Sequence, residues 1–71
     1  MFVVIELQKN GDQLGSIVTK HNTRNEADSK FFSVMAAAAV SNVEKHACTM
    51  LTEEGTELRS AYYEHEQEEE E

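Results

Sequence analysis

Seventy-one residues, with six Lys or Arg against fourteen Asp or Glu, give a formal net charge of −8 and room for a single domain. A chain this short buries only about 60% of its unfolded surface, which argues against a roomy enclosed active site and calls for an added source of stability. Cys48 is the only cysteine, so an intrachain disulfide is excluded, and an acidic chain without a basic stripe is a poor ligand for nucleic-acid backbones.

The chain opens on FVVIELQK, Phe2 to Lys9, which is rich in β-branched and aromatic residues and too short for a helix, and so predicts a strand. Met1 leads directly into it, with neither a basic region nor a secretory-length apolar run, and no stretch reaches the roughly 20 apolar residues of a membrane span; a cytoplasmic protein is expected. Asn10-Gly11 is a strong two-residue hairpin signal, since a type I′ turn needs positive φ at both positions. That turn would set Lys9 against Asp12, Leu7 against Leu14, Val3 against Val18 and Gly15 against Glu6, along a second strand from Gln13 to Lys20.

Thr23 to Ser41 is the one segment able to form a helix with a wide apolar face. Thr23 with Glu26 three residues on fits a capping box, and the alanines at 36 to 39 supply high helix propensity. Ala27, Phe31, Val34, Met35 and Ala38 recur at three- and four-residue steps and form one apolar stripe, with Phe32, Ala36, Ala39 and Val43 in a second beside it.

Beyond the helix, Lys45 to Thr52 and Thr56 to Tyr63 read as two more strands around Glu53-Glu54-Gly55, where Gly55 can take the left-handed position. Two- and three-residue loops both fit; a Glu54-Gly55 loop would pair Leu51 with Leu58 and Ala47 with Tyr62. Residues 1–63 therefore form one domain. The EHEQEEEE segment, 64–71, carries six of the eight net negative charges and reads as a solvated, disordered acidic tail, with docking to a basic protein as its functional alternative.

Strand, strand, helix, strand, strand predicts an α+β fold: a four-stranded, largely antiparallel sheet with the helix on one face. Val3, Ile5, Leu7, Leu14, Val18, Leu51, Leu58 and Tyr62 are expected to face the helix. The other face would hold Phe2, Val4, Ile17, Cys48, Met50 and Tyr63 among Glu6, Thr19, His46 and Arg59, too apolar for a fully solvated surface. Those six apolar residues form the expected interface of a homodimer or larger oligomer or of a contact with another protein, with the alanine side of the helix as the alternative surface; association is the source of stability left once disulfides and zinc are set aside.

Reactive side chains are few. His46 and Cys48 lie two apart on one strand and so share a face, the minimum for a thiolate nucleophile, yet no glycine-rich approach or third orienting group accompanies them. Adding His21 or His65 gives no spacing typical of a zinc site. Accordingly no catalytic residue, metal or cofactor is expected, and the chain reads as a protein that is not an enzyme.

The runs FVVIELQKNGDQLGSIVT, NEADSKFFSVMAAAAVS and HACTMLTEEGTELRS resemble small uncharacterised proteins of gut Firmicutes and their prophages, most clearly over Glu26 to Ser41. Those proteins have no assigned activity, so the resemblance implies a phage or prophage context and no functional residue. Three readings follow from residues and resemblance together. The first is a small homo-oligomeric interaction protein, such as a phage accessory or assembly factor. The second is an acidic inhibitor that mimics nucleic acid, and the third a Cys/His enzyme or metal protein.

Overall fold

The computed structural model describes residues 1–65; most of the segment expected to be a disordered tail, 66–71, lies outside the described residues. The elements follow the expected order: strand β1 (Phe2–Asn10), strand β2 (Gln13–His21), helix α1 (Arg24–Ala39), strand β3 (Lys45–Thr52) and strand β4 (Glu57–Glu64). All four strands pair antiparallel in one open sheet of order β2-β1-β3-β4, an α+β fold.

Helix α1 starts as its sequence predicts. Thr23 stands in extended conformation and its Oγ1 accepts from the backbone N–H of Glu26 at 3.2 Å, which satisfies one of the donors left free at a helix start. Of the two apolar stripes only the first is covered: Ala27, Phe31, Val34 and Ala38 are buried, whereas Phe32, Ala36 and Ala39 are exposed. The alanines at both ends of the buried stripe have no exposed surface, so the helix backbone lies close to the sheet. At the other terminus no basic residue occupies the last turn. His65 supplies the missing partner, its Nε2 donating to the Ala38 carbonyl at 2.8 Å.

The helix covers the face opposite to the one expected. Val4, Cys48 and Met50 are 0–1% exposed and form the core with Ala27, Phe31 and Val34, flanked by Phe2, Met35 and Leu58. Three of the six expected interface residues are therefore core, and Phe2 packs beside them; Ile17 and Tyr63 stay about half exposed at the sheet's two edges, on the helix side. Conversely, Val3, Ile5, Leu7, Leu14, Val18, Leu51 and Tyr62 face away from the helix. Of the residues expected beneath it, Leu58 alone packs against the core.

Crossover handedness explains the inversion. Strands β2 and β3 both run antiparallel to β1, which lies between them, so they are parallel to one another and α1 is the crossover that joins them. The N–H of His65 donates to the Glu44 carbonyl at 2.8 Å, so even-numbered residues of β3 hydrogen-bond towards β4. For L-residues this orients even-numbered β3 side chains to the side on which a right-handed β2-α1-β3 connection falls. Chirality selects the covered face, and the count of large aliphatic residues does not.

Both hairpins also differ in detail. In the first, Asn10 pairs with Gln13, so Gly11-Asp12 is the loop; Gly11 has φ +59° and Asp12 has no positive φ, the requirement of a type II′ turn. Asn10 is drawn into the strand because its Oδ1 accepts from the Glu44 N–H at 3.0 Å while Glu44 Oε1 accepts from the Gly11 N–H at 2.9 Å. Pairing shifts by two residues: Val3 meets Lys20, Leu7 meets Ser16 and Gly15 meets Gln8. An even shift keeps every side chain on its face.

In the second hairpin Thr52 N–H donates to Thr56 O at 2.9 Å around the three residues 53–55, and Gly55 holds φ +93°. An irregularity between Met50 and Leu51 makes Leu58 an extra residue, and the remainder of the strand pairs as expected, Ala47 with Tyr62. That bulge turns Leu58 onto the core. The folded unit also extends past the expected boundary at 63, because Glu64 pairs with Lys45 in the ladder and His65 is tied to both Glu44 and Ala38.

A face-specific stability difference follows. Met50→Ala should destabilise by about 2–5 kcal/mol, and Val18→Ala, 55% exposed, by less than about 0.5 kcal/mol. Urea unfolding of the two variants measures this, and the reverse order would place the helix on the other face.

Candidate functional site

Two constellations stand out, one polar and buried, the other apolar and open. The polar one lies on the helix-covered face, where Glu6 of β1 stands opposite Cys48 of β3 and Gln8 opposite His46. His46 is buried and its Nε2 donates to Glu6 Oε2 at 2.6 Å; Gln8 Nε2 donates to the same oxygen at 2.8 Å. Burial pushes the Glu6 carboxyl up, but the hydrogen bonds from His46 and Gln8 and the charges of His46 and Lys30 outweigh it, so the carboxyl titrates below its ordinary value.

Cys48 beside this pair is fully buried. Burial first, and then the negative charge of Glu6, push its thiol up to about 11, so at neutral pH it is a protonated, small apolar group and no nucleophile. Tyr63 stands across from His46 as the strand pairing requires. Of the histidines weighed as extra ligands, His21 bonds to Thr19 Oγ1 and His65 to the Ala38 carbonyl, and neither joins His46 and Cys48. Among the described residues no three His, Cys, Asp or Glu side chains gather as a metal site. The cluster is an internal carboxylate held by two donors from β1 and β3, with His46 Nδ1 buried and unpartnered among the described residues.

The open constellation is the sheet face turned away from α1. The strand pairings set its residues in four rows. The first row, from β2 to β4, is Lys20, Val3, Leu51, Glu57; the second is Val18, Ile5, Thr49, Ser60. The third is Ser16, Leu7, Ala47, Tyr62, and the fourth Leu14, Lys9, Lys45, Glu64. Side-chain bonds confirm the assignment: Ser60 Oγ reaches both Thr49 Oγ1 and Glu57 Oε2, and Lys45 Nζ lies 3.7 Å from Glu64.

Half of these sixteen positions are apolar, and they adjoin one another. Leu14 and Tyr62 are each 66% exposed; Val3, Ile5, Leu7, Ala47 and Leu51 shield one another only in part. Between Leu7, Leu14 and Ala47, with Lys9 and Lys45 at the rim, lies a shallow apolar depression of about 150 Å³. Solvated sheet faces alternate towards polar residues, whereas this one carries an unbroken apolar strip along β1.

Sequence alternation therefore sorted these residues correctly into one face but assigned that face to the helix. The distinguishing signal was the connection between β2 and β3, which could be used only once the strand order was known. No family model, curated protein or solved structure matches the chain. Among the described residues no helix is long and apolar enough to cross a membrane.

The buried pair generates a pH dependence. Folding lowers the Glu6 carboxyl from its ordinary 4.5, so its stabilisation is fully present above that value and is lost as pH falls through the lower folded one. Glu6→Gln should therefore narrow the stability gap between pH 7 and pH 3, read from urea midpoints at the two pH values. An unchanged gap would show that the pair has no part in acid sensitivity.

Proposed function

We propose that this chain is a small non-enzymatic interaction protein that works as a homodimer through its open sheet face, in the role of a phage or prophage accessory or assembly factor. The observation that carries the reading is the apolar strip Val3, Ile5 and Leu7 along the central strand β1, widened by Val18, Ala47 and Leu51, with no element of the described chain over it. The helix-side core supports the same reading from the other direction. Among the described residues its buried apolar side chains are two alanines and a cysteine beside Phe31, Val34, Val4 and Met50. So small a core leaves a short chain marginal, and closing a second apolar layer adds to it at about 25 cal/mol per Å² of apolar surface.

Size sets the strength of the contact. Four strands about 4.8 Å apart and some 27 Å long present roughly 500 Å² per subunit, or about 1,000 Å² over two copies. That is the lower bound for a specific interface, so the dimer is reversible, unlike an obligate one.

Light scattering should give a dimer mass at tens of micromolar. Ile5→Lys places a charge at the centre of the strip and should shift the mass to that of the monomer with the helix signal in circular dichroism retained. A wild-type monomer at these concentrations, or a dimer indifferent to Ile5→Lys, would remove the reading.

A further inference from the structure

We infer that strand β2 is a second self-association surface, taken up by the β2 of another copy of this chain in antiparallel edge-to-edge pairing. The contact is separate from the open-face one, since it joins two sheets side by side and leaves the strip on β1 untouched. Which backbone groups of β2 are free follows from the ladders. Even-numbered residues of β3 bond towards β4, so its odd-numbered ones bond towards β1, and the two registers carry this across to the odd-numbered residues of β2. The N–H and C=O groups of Leu14, Ser16, Val18 and Lys20 therefore point away from the sheet, and among the described residues no other backbone group bonds to them.

Sheet edges are ordinarily blunted by charge, proline, a bulge or a covering element. The other edge strand, β4, has the bulge at Leu58 and carries Glu57, Arg59 and Glu64. In β2 these devices are missing: its nine residues pair with β1 without a break, include no proline, and hold Lys20 as their single Lys, Arg, Asp or Glu. The helix-side core draws no residue from this strand, and Leu14, Ile17 and Val18 are each at least half exposed. A second copy fits the edge because the edge is its own complement. With a twofold axis normal to the sheet at Ile17, Leu14 faces Lys20 of the partner subunit and Ser16 faces Val18 of the partner subunit, so every free group of one edge meets a free group of the other. A shift by one residue sets free groups against groups already bonded to β1. A shift by two leaves Lys20 of each copy opposite the Gly11-Asp12 turn, or Leu14 of each copy beyond the end of the facing strand. At the matched register the two Lys20 side chains stand at opposite ends of the contact, each with its aliphatic stem over Leu14 of the partner subunit, and Ile17 meets its own copy on the helix side.

Such an edge contact is small, with a dissociation constant on the order of hundreds of micromolar, so it adds to the open-face dimer only at high concentration. Each open-face dimer carries two β2 edges, and sedimentation of the full chain at about 1 mM should give a mean mass above that of the dimer. Ile17→Lys brings like charges together on the helix side and should hold the mass at the dimer, whereas Ile5→Lys should still dimerise through the edge at that concentration. Cross-linking gives an independent readout. Two copies of Ile17→Cys face each other at about 4.5 Å between Cα atoms, within the range a disulfide spans. Added oxidised glutathione, reduced as the two thiols join, should cross-link Ile17→Cys roughly tenfold faster than Val18→Cys, whose position faces Ser16 of the partner subunit. Cys48 does not compete, since it is buried and its thiol is pushed up to about 11. In the open-face dimer the two Ile17 positions lie on outer surfaces and cannot meet, so their cross-link reports the edge alone. Equal rates for Ile17→Cys and Val18→Cys, or an Ile5→Lys variant that stays monomeric, would overturn the edge pairing while the open-face dimer stands; the edge would then be left to an extended segment of another protein. A wild type that is monomeric at tens of micromolar yet cross-links through Ile17→Cys would remove the open-face dimer and keep the edge pairing. Circular dichroism of each variant confirms that the exposed substitutions leave the fold intact.

Discussion

The right-handed crossover from β2 over β1 to β3 is the constraint on which the rest of the molecule depends. Among the described residues there is one helix and it serves as that connection, so it is held to one side of the sheet by the chirality of its own residues. Its narrow stripe of Ala27, Phe31, Val34 and Ala38 then settles on Val4, Cys48 and Met50. Nothing in the described chain remains for the other side. The apolar strip on β1 is therefore a product of topology as much as of composition, because a four-stranded sheet with a single crossover has one face more than it has covers.

Most elements could be read from local chemistry. Thr23 caps the helix, the stripe at three- and four-residue steps is the one that packs, and Ala47 pairs with Tyr62 as expected. Three features depended on partners distant in sequence and could not. Asn10-Gly11 has the stronger intrinsic turn preference, yet Asn10 joins the strand because its amide meets Glu44, which is 34 positions away. Leu58 turns to the core through a bulge that leaves no mark in the alternation. The folded unit reaches His65 and does not stop at Tyr63, since a histidine in an acidic run gives no sign that it will close a helix terminus.

The candidate surface was half legible. Alternation grouped Val3, Ile5, Leu7, Leu14, Val18 and Tyr62 on one side and Val4, Cys48 and Met50 on the other, and both groups are apolar enough to pass for a core. Aliphatic bulk favoured the first, whereas the second is the one covered, and it contains Glu6 and His46. A buried carboxylate is tolerated there because two donors meet one of its oxygens. The pair is satisfied on the carboxylate side only, since His46 Nδ1 is buried without a partner among the described residues.

The clasp of Asn10, Gly11 and Glu44 at the tip of the first hairpin has a consequence for how this chain tolerates change. Side chains along β2 alternate strictly between the two surfaces, and the tip sets the phase of that alternation. One residue gained or lost at Gly11-Asp12 would roll the whole edge strand over, exchanging Val18 and Lys20 for Ile17 and Thr19 while the other three strands stayed in place. Length in this loop is thus a binary variable: an even change preserves the outward pattern, and an odd one rewrites a quarter of it.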